Sequence, residues 1–139
     1  SLAVALRMHK LGDVDSVVSA GNTGVCMASG VRSLGRLEGV SRPAITSSFP
    51  TLKEKSVVFL DVGANVDSPP QNLYQFAVMG SIYASYINRL NRPTVGLLSI
   101  GEEKVKGNES TLRAYKILEK SSLNFILVPR PSPSSWPCL

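Results

Sequence analysis

One histidine, two cysteines and one tryptophan are all that 139 residues supply of those types. His9 stands in an opening helical pattern, away from every polar loop, so no Ser/His/Asp or Cys/His arrangement for nucleophilic catalysis can be assembled. Cys26 and Cys138 fall in a predicted helix and in an irregular tail. That placement excludes a disulfide framework and any CxxC metal spacing, and it leaves two free thiols. No apolar run approaches the roughly 18 to 20 residues that cross a bilayer, and no basic segment precedes a short apolar core, so the expected compartment is the cytosol. The net charge of +5 suits phosphate, an acidic protein or a membrane surface. Nucleic acid is not expected: the basic residues are scattered, and only four Phe, four Tyr and one Trp are available for stacking.

What is present describes a soluble globular α/β domain. Hydrophobic residues make up 43% and charged residues 18%. The chain opens on Ser1 rather than Met, and Leu2, Ala5, Leu6 and Met8 start a helical pattern at once, so the natural start is expected to lie upstream. That helix is predicted over residues 1–11, with Gly12 at the left-handed position after its end. A strand is expected over residues 15–20, then a polar turn into a helix carrying Met27, Val31 and Leu34. Residues 43–49 and 56–61 read as two strands whose short connection suggests antiparallel neighbours within a mixed sheet. Ser68 is the expected N-cap of the next helix, with Pro69 at its first position. Leu73, Phe76, Ala77, Gly80, Ala84 and Ile87 form its apolar stripe. Val95, Leu97, Leu98 and Ile100 make a strand, a helix runs to about Lys120, and residues 123–126 begin a last strand. The alternation predicts a layered α/β/α arrangement on a mostly parallel mixed sheet. Residues 127–139 hold four prolines and three serines and read as an irregular tail that propagates neither strand nor helix, so the expected domain is 1–126.

Three polar loops occupy strand ends, where an open α/β sheet gathers its ligands. Ser19-Ala20-Gly21-Asn22-Thr23-Gly24 offers glycines for close backbone approach, two polar side chains and a helix N-terminus. It serves either as an ordinary N-cap turn or as an anion cradle; it is neither a Walker A nor a GxGxxG sequence. Asp61-Val62-Gly63-Ala64-Asn65-Val66-Asp67 places two carboxylates and a carboxamide around a turn. Asp61 fixes the backbone of its own loop or joins Asn65 and Asp67 in orienting a polar ligand; oxygen ligands for Mg²⁺ are too few. In the third loop Glu102, Glu103 and Lys104 neutralise one another, while Lys106 stands before Gly107-Asn108 at a helix start, where an ammonium can meet a phosphate or a developing oxyanion.

Taken in order, these three loops together with Arg42-Pro43-Ala44 and Gln75-Phe76-Ala77-Val78-Met79-Gly80-Ser81 resemble the PlsX family of bacterial phosphate acyltransferases. The resemblance covers residues 1–126 and rests on five ordered blocks, the last of them Gly107-Asn108-Glu109. It implies transfer of a fatty acyl group from acyl carrier protein to inorganic phosphate, giving acyl phosphate for a membrane glycerol-3-phosphate acyltransferase. It also implies a homodimer, a fold like isopropylmalate dehydrogenase and phosphotransacetylase, peripheral membrane attachment and no cofactor. On that reading Gly21, Asn22, Thr23 and Gly24 bind the substrate anion, Lys106 offsets its charge, and Asn65, Asp67 and Asn108 position the reacting groups.

The family's earlier strand with its Asp-Ala-Met-Gly-Gly-Asp type loop has no counterpart here. Where the family continues into Gly-Asn-Val-Glu, this chain has Leu127-Val128-Pro129. The piece by itself is therefore expected to be inactive. Two other classes fit the residues: a phosphotransacetylase-like or dinucleotide-binding enzyme of similar fold, and a non-catalytic fragment of a broken gene.

Overall fold

The computed structural model describes residues 1–52, 55–62, 68–99 and 109–129. It divides into two compact units, Ser1–Ile45 and Thr46–Leu139.

In the first unit, helix α1 spans Leu2–Leu11 and stops as its sequence predicts. Gly12 takes φ 82°, and the N–H groups of Gly12 and Asp13 return to the carbonyls of His9 and Met8, closing a Schellman cap. The His9 ring donates through Nδ1 to the Val14 carbonyl at 3.0 Å, tying the chain beyond the cap to the helix. Helix α2 spans Thr23–Leu34 and packs on α1. Between them the expected strand over 15–20 does not form. Its Val17-Val18 pair has the right composition, but a strand exists only through a hydrogen-bonded neighbour, and no described segment supplies one. Val18 is 96% exposed as a result.

The second unit contains strands β1 (Thr46–Pro50) and β2 (Ser56–Leu60), antiparallel as expected, with Thr46 opposite Leu60 and Pro50 opposite Ser56. β1 starts three residues later than the apolar pattern suggested. Phe49 and Phe59 meet edge to face across the pair, with centroids 5.3 Å apart. The Thr51 side chain closes the turn by accepting from Lys55 N–H and donating to the Lys55 carbonyl.

Helix α3 spans Pro70–Ile87 and begins one residue later than predicted. Because Pro70 follows, Pro69 is pushed out of the helical region to φ −55°, ψ 150° and becomes the N-cap. Ser68 therefore does not cap the helix. Its hydroxyl donates to the Asp61 carboxylate at 2.6 Å instead. Along the predicted stripe Phe76 and Ala84 are buried, and Gly80 lies so close to Leu60 that a Cβ would come within 2.7 Å of its Cδ1. Ile87, the last of the stripe, departs from it at 62% exposure.

β3 (Thr94–Ser99), α4 (Glu109–Glu119) and β4 (Asn124–Pro129) form a parallel strand–helix–strand unit. α3 packs against β2, β3 and α4, and α4 against β4. Ala114 and Leu118 are the most deeply buried side chains described. β4 corrects the expectation that strand structure ends at Ile126: Leu127 pairs with Leu97, Val128 with Leu98 and Pro129 with Ser99. The ladder of β3 carries the strand onward, with proline at the last rung, where its missing N–H costs least. Residues 130–139 lie outside the described residues. The α/β composition is as expected, while the described strands pair as two two-stranded sheets, β1-β2 and β3-β4.

Candidate functional site

The turn before α2 is held by its own side chains. Asn22 is the N-cap at φ −60°, ψ 129°, and its Oδ1 accepts from the Val25 N–H at 3.2 Å. The Asn22 carbonyl takes the Cys26 N–H at 3.0 Å. Upstream, the Ser19 hydroxyl accepts from the Gly21 N–H at 3.2 Å and from the Cys26 thiol at 3.5 Å. Both glycines owe their places to these side chains. A Cβ on Gly24 would lie 3.3 Å from Asn22 Oδ1, and one on Gly21 3.2 Å from Ser19 Oγ.

Four donors remain. Thr23 and Gly24 occupy the first two helical positions, where a backbone N–H has no intrahelical acceptor. The Asn22 carboxamide nitrogen and the Thr23 hydroxyl have no hydrogen-bond partner among the described residues. All of residues 21–24 are exposed. The arrangement is thus an N-cap turn that leaves donors unused at the positive end of α2, the kind of position where helix electrostatics favours an anion. The structure brings together the four predicted substrate-binding residues Gly21, Asn22, Thr23 and Gly24.

The predicted catalytic residues Asn65, Asp67, Lys106 and Asn108 lie outside the described residues. The borders of their loops are described. Asp61 takes the left-handed φ of 64°, a conformation aspartate tolerates better than most side chains, and its bond to Ser68 joins the two ends of the loop that carries Asn65 and Asp67. Glu109, at the start of α4, forms an exposed ion pair with Arg113. Two features here differ from what the sequence pattern suggests. Ser68 clasps Asp61 rather than capping a helix, and Ser19, the first residue of the polar turn, organises it through its hydroxyl. Only the pairing of a serine with a glycine two residues on hinted at the latter.

Cys26 is a half-buried free thiol and lines an apolar groove of about 350 Å³ that begins at Thr23 and follows α2. Among the described residues no group of His, Cys, Asp and Glu could hold a metal ion, and no helix is long and apolar enough to cross a membrane.

The sequence profile of the fatty acid synthesis protein family matches residues 1–127. The phosphate acyltransferase of Desulforamulus reducens is 53% identical over 126 residues, covering 91% of this chain and 38% of that protein. That of Desulfitobacterium hafniense is 52% identical, with 91% and 37% covered, and that of Bacillus cereus 45%, with 91% and 38%. The chain spans rather more than a third of the length of these curated relatives.

Proposed function

The chain belongs to the fatty acid synthesis protein family, the PlsX phosphate acyltransferases, and from that membership we propose that the intact protein transfers a fatty acyl group from acyl carrier protein to inorganic phosphate. The observation that carries the reading is the set of four unused donors at the start of α2, within the turn Ser19-Ala20-Gly21-Asn22-Thr23-Gly24. In the reaction a phosphate oxygen attacks the thioester carbonyl carbon. The new C–O bond gives a tetrahedral oxyanion, which collapses with cleavage of the C–S bond. The departing thiolate takes up the proton lost by phosphate.

That chemistry calls for donors that hold the nucleophilic anion and a cation that stabilises the oxyanion, with no protein nucleophile. Asn22, Thr23 and the N–H groups of Thr23 and Gly24 hold phosphate, with Gly21 and Gly24 leaving room for its approach. Lys106 offsets the charge, and Asn65, Asp67 and Asn108 position the reacting groups. The same reading includes a layered sheet like that of isopropylmalate dehydrogenase and phosphotransacetylase, a homodimer, and delivery of acyl phosphate to a glycerol-3-phosphate acyltransferase by a cytoplasmic protein loosely attached to the membrane. No resident cofactor takes part.

Acyl phosphate formation by the intact enzyme tests the assignments. Lys106→Ala should lower turnover by about a hundredfold or more, the scale of losing one oxyanion donor. Unchanged turnover would remove Lys106 from the mechanism. A donor preference for acyl-coenzyme A over acyl carrier protein would move the enzyme to the phosphotransacetylase class.

A further inference from the structure

Asp61 holds a backbone conformation that glycine would adopt more cheaply. It follows the last residue of β2 at φ 64°, and among the described residues only Arg89 shares a positive φ without being glycine. What glycine would lack is the carboxylate. Its Oδ2 accepts the Ser68 hydroxyl at 2.6 Å, and both residues are half-buried. Ser68 is presented on a stiff stem, because Pro69 restricts it to extended backbone and Pro69 and Pro70 have their own φ fixed. The bond is not needed to bring β2 and α3 together. They meet farther along, where Leu60 packs against Gly80.

We propose that Asp61 and Ser68 are positioning residues for the acyl transfer, a clasp that fixes both ends of the segment carrying Asn65 and Asp67. The inference rests on the function proposed above and deepens it by naming what holds two of its groups in register. A non-glycine residue kept in the left-handed region persists where its surroundings over-determine it, and such places cluster at functional sites. Here the end of β2, the serine and two prolines supply that constraint. The clasp also separates the two roles that the sequence leaves open to Asp61. Acting on its own loop requires a hydrogen-bond acceptor at this position, whereas orienting a ligand by charge requires a carboxylate.

Acyl phosphate formation by the intact enzyme is measured at varied phosphate for Asp61→Gly, Ser68→Ala, their double variant, Asp61→Asn and Ser68→Thr. Glycine suits φ 64° and Ser68→Ala keeps the stem before Pro69, so melting temperatures should stay within about 3 °C of the wild type. Each of these two variants should lower kcat by about tenfold to a hundredfold, the scale of a misplaced reacting group. KM for phosphate should change by less than about threefold, because the donors assigned to phosphate lie in the turn before α2. The double variant should lose no more than about twofold beyond the worse single variant, since both remove one bond. Asp61→Asn tolerates the same φ and still accepts from Ser68, so it should stay within about threefold of wild-type kcat, as should Ser68→Thr.

Wild-type kcat in Ser68→Ala, or losses that multiply in the double variant, overturns the clasp and leaves the acyl transfer standing. A loss in Asp61→Asn equal to that in Asp61→Gly gives Asp61 a charge that acts on the ligand, and the positioning role falls. Melting temperatures that drop in step with kcat make the bond a staple of the fold, with the same consequence. A wild-type enzyme that forms no acyl phosphate removes the proposed function and the clasp's part in it together.

Discussion

The two units differ in how much of their structure they complete for themselves. In Ser1–Ile45 two helices pack on each other, Leu6 is the buried apolar side chain, and the segment over 15–20 forms no strand with any described residue. Among the described residues of Thr46–Leu139, two strand pairs and two helices bury Phe76, Ala84, Ala114 and Leu118. The contrast follows from where the partners are. β3 finds β4 within the same unit, across one helix, so both strands form and a core closes beneath α4. The apolar segment at 15–20 has the composition of a strand and, among the described residues, no ladder to join. The unit with the weaker core carries the donors at the α2 N-terminus, and its unfilled surface includes the groove.

The largest test of this contrast is truncation of the two cores. Leu118, 1% exposed, should lose about 2–5 kcal/mol on replacement by alanine. Leu6→Ala should cost less than about 2 kcal/mol, because Leu6 is the one buried side chain of its unit and its helix neighbours Val4, Met8 and Leu11 are exposed, so the surroundings can relax around the loss. Urea unfolding followed by circular dichroism measures both, and equal losses would erase the distinction between the units.

Next in size is a pair of glycines in the second unit. A Cβ on Gly96 would lie 2.6 Å from Val128 Cγ2, and valine is stiff at χ1, so Gly96→Ala should cost about 1–3 kcal/mol. Gly80→Ala meets only the mobile tip of Leu60 and gains about 1 kcal/mol of helix propensity, so its net effect should be smaller. Melting temperatures of the two variants would reveal a reversed order, which would mean that the strand pair yields more easily than the helix contact.

In the first unit Asn22→Ala should cost about 0.5–2 kcal/mol and Asn22→Gly only a few tenths, with faster exchange of the Val25 amide in both. If exchange at Val25 does not change, the Asn22 cap is not what holds the turn. The smallest effect belongs to Arg113→Ala on the surface of α4. Both partners of its ion pair with Glu109 are more than two-thirds exposed, so the loss should stay under about 0.5 kcal/mol and shrink further in high salt.

The features legible in the sequence are those whose cause lies within a few residues. Gly12 ends α1, Asn22 starts α2, and the stripe of α3 is buried at Phe76 and Ala84, because caps and helical periodicity act between residues at most one turn apart. The misread features had competing causes, one local and the others distant. Pro70, only two residues on, displaced the cap from Ser68, while Asp61, seven residues back, took its hydroxyl. Leu127 and Val128 looked like the start of a tail until Leu97 and Leu98, thirty residues earlier, paired with them. In the candidate site the residues of the first turn were legible as a group. That Asn22 uses its oxygen on the helix and keeps its nitrogen free was not.

By itself the sequence determined the family, the α/β composition, the helix ends and the turn that carries the donors, since ordered motifs and local caps are written in neighbouring residues. Tertiary structure alone decided which apolar segments became strands, that Asp61 and Ser68 close a loop, and that the face of α2 above Gly30 is an open groove. A strand, a clasp and a groove each require a partner brought from elsewhere in the chain, and whether that partner arrives depends on the packing of the whole.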